Sequence, residues 1–345
     1  MRTELNCRPS GLNVLLARLA IILLATASSL SARGADIVDA EYVAAALARG
    51  AVVWDVRDNR DYLEGHIPGA VNAGDIGAVL RDPNREDWVP TARVQDILGR
   101  AGIDLLNREV IAYGRTGDPN AYYALSGIRY FGGKAARVFH GGLDAWQAAG
   151  RPLSKQATTL PEVKLVLQPV AGELLWNPEI LERIKSGRSQ ILDARTPKEF
   201  LAEDIRAIRG GHIPTAINVP FEQNWIDPEA GAKLAARATS TREGMALKPP
   251  AALGKLYEAL DRDKEVVVYC QSGVRASVTA AVLRDLGFKD VKVYEPSWLG
   301  YAGMLSAPAE REVFLNVGAL NGRIAGLQGK VIELEGEVGR LKGAR

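Results

Sequence analysis

The sequence predicts an α/β protein: two mainly parallel sheets flanked by helices, arranged in tandem, then a C-terminal amphipathic helix of coiled-coil type. Three observations carry that expectation. Apolar runs such as Val266, Val267 and Val268 alternate with helical spacings such as Leu253, Leu256 and Leu260. The whole pattern occurs twice in the same order. After Ala309 the apolar period becomes seven residues.

Residues 1–35 read as an export signal. Arg2, Arg8 and Arg18 precede the run LAIILLATASSL (19–30), and small residues follow to Ala35. The run is shorter than the ~20 apolar residues that span a bilayer. The expectation is an exported protein, periplasmic if bacterial, with an uncleaved anchor or an organelle presequence as alternatives. A formal charge of +2 gives no reason to invoke nucleic acid or an anionic membrane. Cys7 precedes the apolar run, so cleavage would leave Cys270 as the only thiol. A lone thiol cannot staple the chain to itself; it is either a small buried hydrophobe or chemically employed.

The first copy spans 36–152 and contains VVWDVRDNRDYLEGHIPGAVN from Val52. The second spans 173–311 and contains ILDARTPKEFLAEDIRAIRGGHIPTAINVP from Ile191. Each has an apolar strand, Asp-x-Arg, an aromatic seven residues after the Asp, and Gly-His-Ile-Pro; the second carries eight extra residues between Phe200 and Gly211. Downstream, EVIAYGRTGDPNAYYALSGIRYFGG matches EVVVYCQSGVRASVTAAVLRDLGF. A linker is expected over 153–172, which mixes Pro, Ser, Lys and Thr.

In open α/β sheets ligands gather beyond the carboxyl ends of the strands. Cys270 ends such a strand and a helix follows. Gly273 lets the loop curl, so the amides of Gln271, Ser272, Gly273, Val274 and Arg275 can converge on the sulfur. Such a nest, a helix start and the Arg275 charge favour a thiolate. Cys270 is therefore expected to be a nucleophile. In the first copy Gly114 stands opposite Cys270, Asp118 would repel an anion, and Pro119 removes an amide. That copy is expected to be catalytically silent.

The paired Asp-x-Arg…Gly-His-Ile-Pro segments and the Cys-x-x-Gly-x-Arg loop resemble the tandem-domain rhodanese family of thiosulfate and mercaptopyruvate sulfurtransferases, over roughly residues 36–310. The resemblance implies two rhodanese-like domains. It also implies a persulfide on Cys270, loaded from a small anionic donor such as thiosulfate, discharged to cyanide or a thiol, and needing no cofactor. Only Cys270 matches the nucleophile position, and residues 271–275 match the cradle. One alternative is a persulfide carrier that delivers sulfur to a protein partner. Another is a cysteine phosphatase or arsenate reductase, but those use Cys-x5-Arg, a wider ring than the four residues between Cys270 and Arg275. Two departures bear on the donor. Glu199 stands where some tandem members carry a basic residue, and Cys-Gln-Ser matches neither the Cys-Arg-Lys nor the Cys-Gly-Ser-Gly type of loop.

Arg195, Trp225, Ser297 and Trp298 are candidates for the cleft beside the loop, each with simple burial as its rival reading. Asp55 with Arg57, and Asp193 with Arg195, recur in both copies, so a shared structural pairing is expected. His66 and His212 recur likewise and are expected to stabilise turns. With His140 the only other histidine, no metal site is expected.

The tail, 312–345, places Val317, Ile324, Val331 and Val338 at heptad position a and Leu320, Leu327, Leu334 and Leu341 at d. Lys330 would face Glu335, and Glu337 would face Lys342, across a parallel pair. Gly322, Gly329, Gly336 and Gly343 fall at f, each costing ~1 kcal/mol in a helix. A homodimer through residues 317–341 is expected, with packing of the tail on its own protein as the alternative.

Overall fold

A computed structural model describes residues 35–343. The expected export segment, with Cys7, lies outside the described residues except for Ala35. The first half comprises β1 (Ile37–Val38), α1 (Ala40–Ala48), β2 (Val52–Asp55), α2 (Asn59–Glu64), β3 (Val71–Asn72), α3 (Ile76–Val79), α4 (Thr91–Arg100), β4 (Glu109–Tyr113), α5 (Pro119–Tyr130), β5 (Ala135–Phe139) and α6 (Gly142–Ala148). The second opens with β6 (Leu174–Leu175), α7 (Asn177–Ser186), β7 (Gln190–Asp193), α8 (Pro197–Phe200), β8 (Arg209–His212) and β9 (Ile217–Asn218). It continues through α9 (Ala230–Ala235), α10 (Pro250–Leu256), β10 (Glu265–Tyr269), α11 (Val274–Asp285), β11 (Asp290–Tyr294), α12 (Ser297–Gly303) and β12 (Glu310–Phe314). Helix α13 (Val317–Gly343) ends the described chain.

The two copies form parallel sheets of the same topology, β1-β5-β4-β2-β3 and β6-β11-β10-β7-β9. Strands β4 and β10 are central and buried on both faces, which is why they read as unbroken apolar runs. Register is equivalent too: Asp55 lies opposite Tyr113 and Asp193 opposite Tyr269. Gly114 and Cys270 therefore leave their sheets at matching points.

Helices α5 and α11 pack on each other between the sheets, and one apolar core runs through both halves. Residues Ala276–Leu283 of α11 are all buried, as a helix sandwiched on every side must be. Asp285 accepts the amides of Asp36 at 2.6 Å and Ile37 at 3.1 Å, tying the far end of α11 to the first strand of the other half.

One boundary differs from expectation. β12 pairs antiparallel with β8, so the second domain runs to Phe314 and not 311. Sequence spacing missed this because β8 is Arg-Gly-Gly-His, without the apolar residues that mark a strand. The segment 153–172 is docked, not free: Ser154 bridges His66, and Leu165 and Leu167 are buried in the shared core. Every described side chain of α13 is exposed. Among the described residues, the tail does not pack on the rest of its own protein.

Candidate active site

Cys270 follows β10 and is 1% exposed. The loop it opens is defined by where its carbonyls go. The Cys270 carbonyl accepts the Trp298 amide at 3.0 Å, and the Gln271 carbonyl accepts the Leu299 amide at 2.9 Å. The Ser272 carbonyl accepts Arg81 Nη2 at 2.9 Å, and the Gly273 carbonyl accepts the Ser277 amide and Oγ, both at 3.0 Å. All four carbonyls are thus bound. By contrast, the amides of Gln271, Ser272, Val274 and Arg275 donate to no acceptor among the described residues. A loop with its oxygens tied back and its N–H groups free is an anion cradle.

The expected five-amide nest needs one correction. The Gly273 amide is already bound, at 3.0 Å, by Ser297 Oγ, which also takes the Cys270 amide at 3.1 Å and donates to the Tyr294 carbonyl at 2.8 Å. Ser297 is therefore an anchor beneath the loop, with no exposure of its own.

Helix α11 starts on Gly273, at φ 82°, with no side-chain cap. Its first-turn amides are left for a ligand. A Cβ on Gly273 would lie 2.9 Å from Glu295 Oε2, so glycine is required for space as well as for backbone. The first copy makes the contrast. Helix α5 is capped by Asp118, whose carboxylate accepts the Asn120 amide at 2.9 Å. Asp118 Oδ2 would lie only 2.2 Å from a Cβ on Gly114. The first copy fills its own cradle with a carboxylate.

Arg275 does not stand free beside the thiol. Its Nη1 and Nη2 each bond Glu199 at 2.7 Å in a bidentate pair. Arg206 Nη1 reaches the same carboxylate at 3.3 Å. Burial works against ionising Glu199, but Arg275 and the Thr196 amide and hydroxyl outweigh it and hold the carboxyl down to about 2. Burial likewise opposes charge on Arg275; Glu199 and the neighbouring Cys270 reverse that and raise its basicity. The eight extra residues of the second copy serve this site: they carry Arg206, whose carbonyl also accepts Gln271 Nε2 at 2.9 Å.

The remaining candidates are corrected from cleft wall to support. Arg195 is 1% exposed, paired with Asp193 at 2.6 Å and bonded to the Gly211 carbonyl at 2.7 Å. Its guanidinium stacks 4.7 Å from Trp298, which is itself buried and donates to the Arg209 carbonyl at 3.0 Å. Trp225 is buried edge-to-face on Phe221. His66 and His212 stack on Tyr62 and Phe200 and bond the carbonyls of those residues, fixing the two Gly-His-Ile-Pro turns.

Sequence reasoning missed two participants and one pairing. Glu199, already marked as a departure at a basic position, also closes a Thr-Pro-Lys-Glu capping box, and its pairing with Arg275 was not expected. Glu295 is wholly buried; burial pushes its carboxyl up to about 8, so at neutral pH it donates or accepts as an acid. Its Oε1 accepts Tyr123 Oη, from the other half, at 2.7 Å. Arg81, also from the first half, carries no motif at all.

A model for the rhodanese-like domain matches residues 39–149 and 177–304. A curated thiosulfate sulfurtransferase of Corynebacterium glutamicum is 33% identical over 79% of this chain and 90% of its own. The sulfur carrier protein TtuD of Thermus thermophilus is 30% identical over 72% of this chain and 86% of its own. The crystal structure of SseA, a 3-mercaptopyruvate sulfotransferase from Escherichia coli, superposes with a TM-score of 0.63 and 27% identity, covering 76% of this chain and 98% of that one.

Proposed function

This chain belongs to the rhodanese family, as a sulfurtransferase with two rhodanese-like domains, and on that premise we propose that Cys270 carries the transferred sulfur while the first domain is catalytically silent. The Cys270 thiolate attacks the outer sulfur of thiosulfate or a related donor. A Cys270–S bond forms; with thiosulfate the S–S bond breaks and sulfite leaves with the electron pair, whereas with mercaptopyruvate the C–S bond breaks and the pair leaves with carbon as the pyruvate enolate. Cyanide or a thiolate then attacks the terminal sulfur, and the Cys270 thiolate departs with its electrons. No external oxidant or cofactor enters this balance.

The observation that carries the reading is the loop's hydrogen-bond pattern: four bound carbonyls and four free amides beside one buried thiol at an uncapped helix start. Gln271, Ser272, Val274 and Arg275 would cradle the persulfide, and Arg275 would add charge moderated by Glu199. A second reading, a persulfide carrier serving a protein partner, is supported by the resemblance to a sulfur carrier protein. From the N-terminal pattern the protein is proposed to act after export. From the exposed heptad face of α13 it is proposed to dimerise through residues 317–341.

Intact mass spectrometry after incubation with thiosulfate or mercaptopyruvate tests the chemistry. Cys270 should gain the mass of one sulfur atom, lose it to cyanide or thiol, and gain nothing as Cys270→Ser. Repeated turnover supports the enzyme; a single loading with no turnover supports the carrier.

A further inference from the structure

The Ser272–Gly273 peptide plane is gripped from both sides. Its carbonyl accepts Arg81 Nη2 at 2.9 Å, from the first domain, and its N–H donates to Ser297 Oγ at 3.0 Å, from the second. This plane needs holding. Gly273 sits at φ 82° and, having no Cβ, reaches φ of either sign at little cost, so it is the one link in the loop free to flip. A flip would exchange the Ser272 carbonyl with the Gly273 amide and shift the neighbouring free amides out of line.

Arg81 is built to prevent it. Its side chain is 13% exposed. Nε donates to the Glu86 carbonyl at 3.0 Å, Nη2 bonds the same oxygen, and the guanidinium lies 5.2 Å over the Tyr123 ring. Tyr123 in turn is stacked at 4.4 Å on Trp88 and bonded to Glu295. The fork is therefore oriented before it meets Ser272.

The duplication supplies a matched control. On the silent side Arg242, from the second domain, reaches the Thr116 carbonyl at 3.5 Å, two residues after Gly114 as Ser272 is two residues after Cys270. The domains thus exchange arginines, and only one of the two contacts touches the thiol loop.

We propose that Arg81 is a positioning residue: the catalytically silent domain sets the peptide geometry of the Cys270 loop through this side chain. The proposal rests on Cys270 being the sulfur-carrying residue. Its test compares Arg81→Met, Arg81→Lys and Arg242→Met. The readouts are the rate of sulfur loading from thiosulfate and the rate of Cys270 alkylation by iodoacetamide, each with a melting temperature.

Arg81→Met should slow loading at saturating donor on the order of tenfold or more, with the half-saturating donor concentration little changed. Arg81→Lys, which keeps the charge but loses the planar fork oriented by Glu86 and Tyr123, should fall between and serves if Arg81→Met does not fold. Arg242→Met should stay within roughly twofold of wild type despite a similar loss in melting temperature. Loading at wild-type speed in both Arg81 variants, or equal slowing in Arg242→Met, would overturn the proposal. If wild type accepts no sulfur from either donor, the functional reading fails instead, and the alkylation rates still decide whether Arg81 shapes the loop.

Discussion

Glu199 and Arg275 are joined by two parallel bonds of 2.7 Å, so the guanidinium of the thiol loop is already paired before any donor arrives. The Glu199 side chain is 2% exposed and that of Arg275 16%, so solvent screens the pair little. The first prediction follows from the sign of the Glu199 shift. Its ordinary value is 4.5 and the folded state holds it at about 2, so the pair stabilises the fold above pH ~4.5 and that stability is lost as pH falls toward 2. Glu199→Gln should cost on the order of 3 kcal/mol at neutral pH. Denaturant titrations should show the gap closing between pH 4.5 and 2; a gap independent of pH would refute the pairing.

Glu295 has the opposite sign. Its carboxyl ionises near 4.5 when unfolded and near about 8 when folded, so between those values the folded state binds the extra proton and stability falls as pH rises. Glu295→Gln imitates the protonated form. It should match wild type at pH 4 and exceed it at pH 9 by at least ~1 kcal/mol, a few degrees in melting temperature. Equal melting curves at pH 9 would show that Glu295 is ionised and satisfied in the fold.

Placing a thiol in the first domain should not make it active. On a Cys270→Ser background, Gly114→Cys places a Cβ against Asp118 and should take up no sulfur by mass spectrometry while lowering stability. Adding Asp118→Ala relieves the clash but removes the α5 cap, worth ~1 kcal/mol, and still supplies no arginine like Arg275. Sulfur on the introduced thiol in either variant would show that the first cradle is intact.

The tail should be separable from catalysis. Light scattering of the full chain should report a dimer, and truncation before Val317 a monomer that still accepts one sulfur per chain. Lys330→Glu should weaken the dimer by up to ~1 kcal/mol, and adding Glu335→Lys should restore it. A full-length monomer at micromolar concentration would exclude α13 as a dimer seam.

The residues themselves reveal the duplication, the parallel sheets and the thiol loop with its counterpart that lacks a cysteine, because each rests on local rules: apolar runs for buried strands, glycine for a left-handed turn. Cys270, Gly273 and Arg275 stand close in the chain, so their chemistry could be read from spacing. Tertiary packing alone decided what lies across from them. Glu199 neutralises Arg275 from 76 residues away, Ser297 takes a loop amide from 24, and Arg81 takes a loop carbonyl from 191. No period or propensity encodes such contacts: Glu199 and Ser297 reach the loop through the packing of the second domain itself, and Arg81 reaches it because α5 and α11 bury their apolar surfaces on each other.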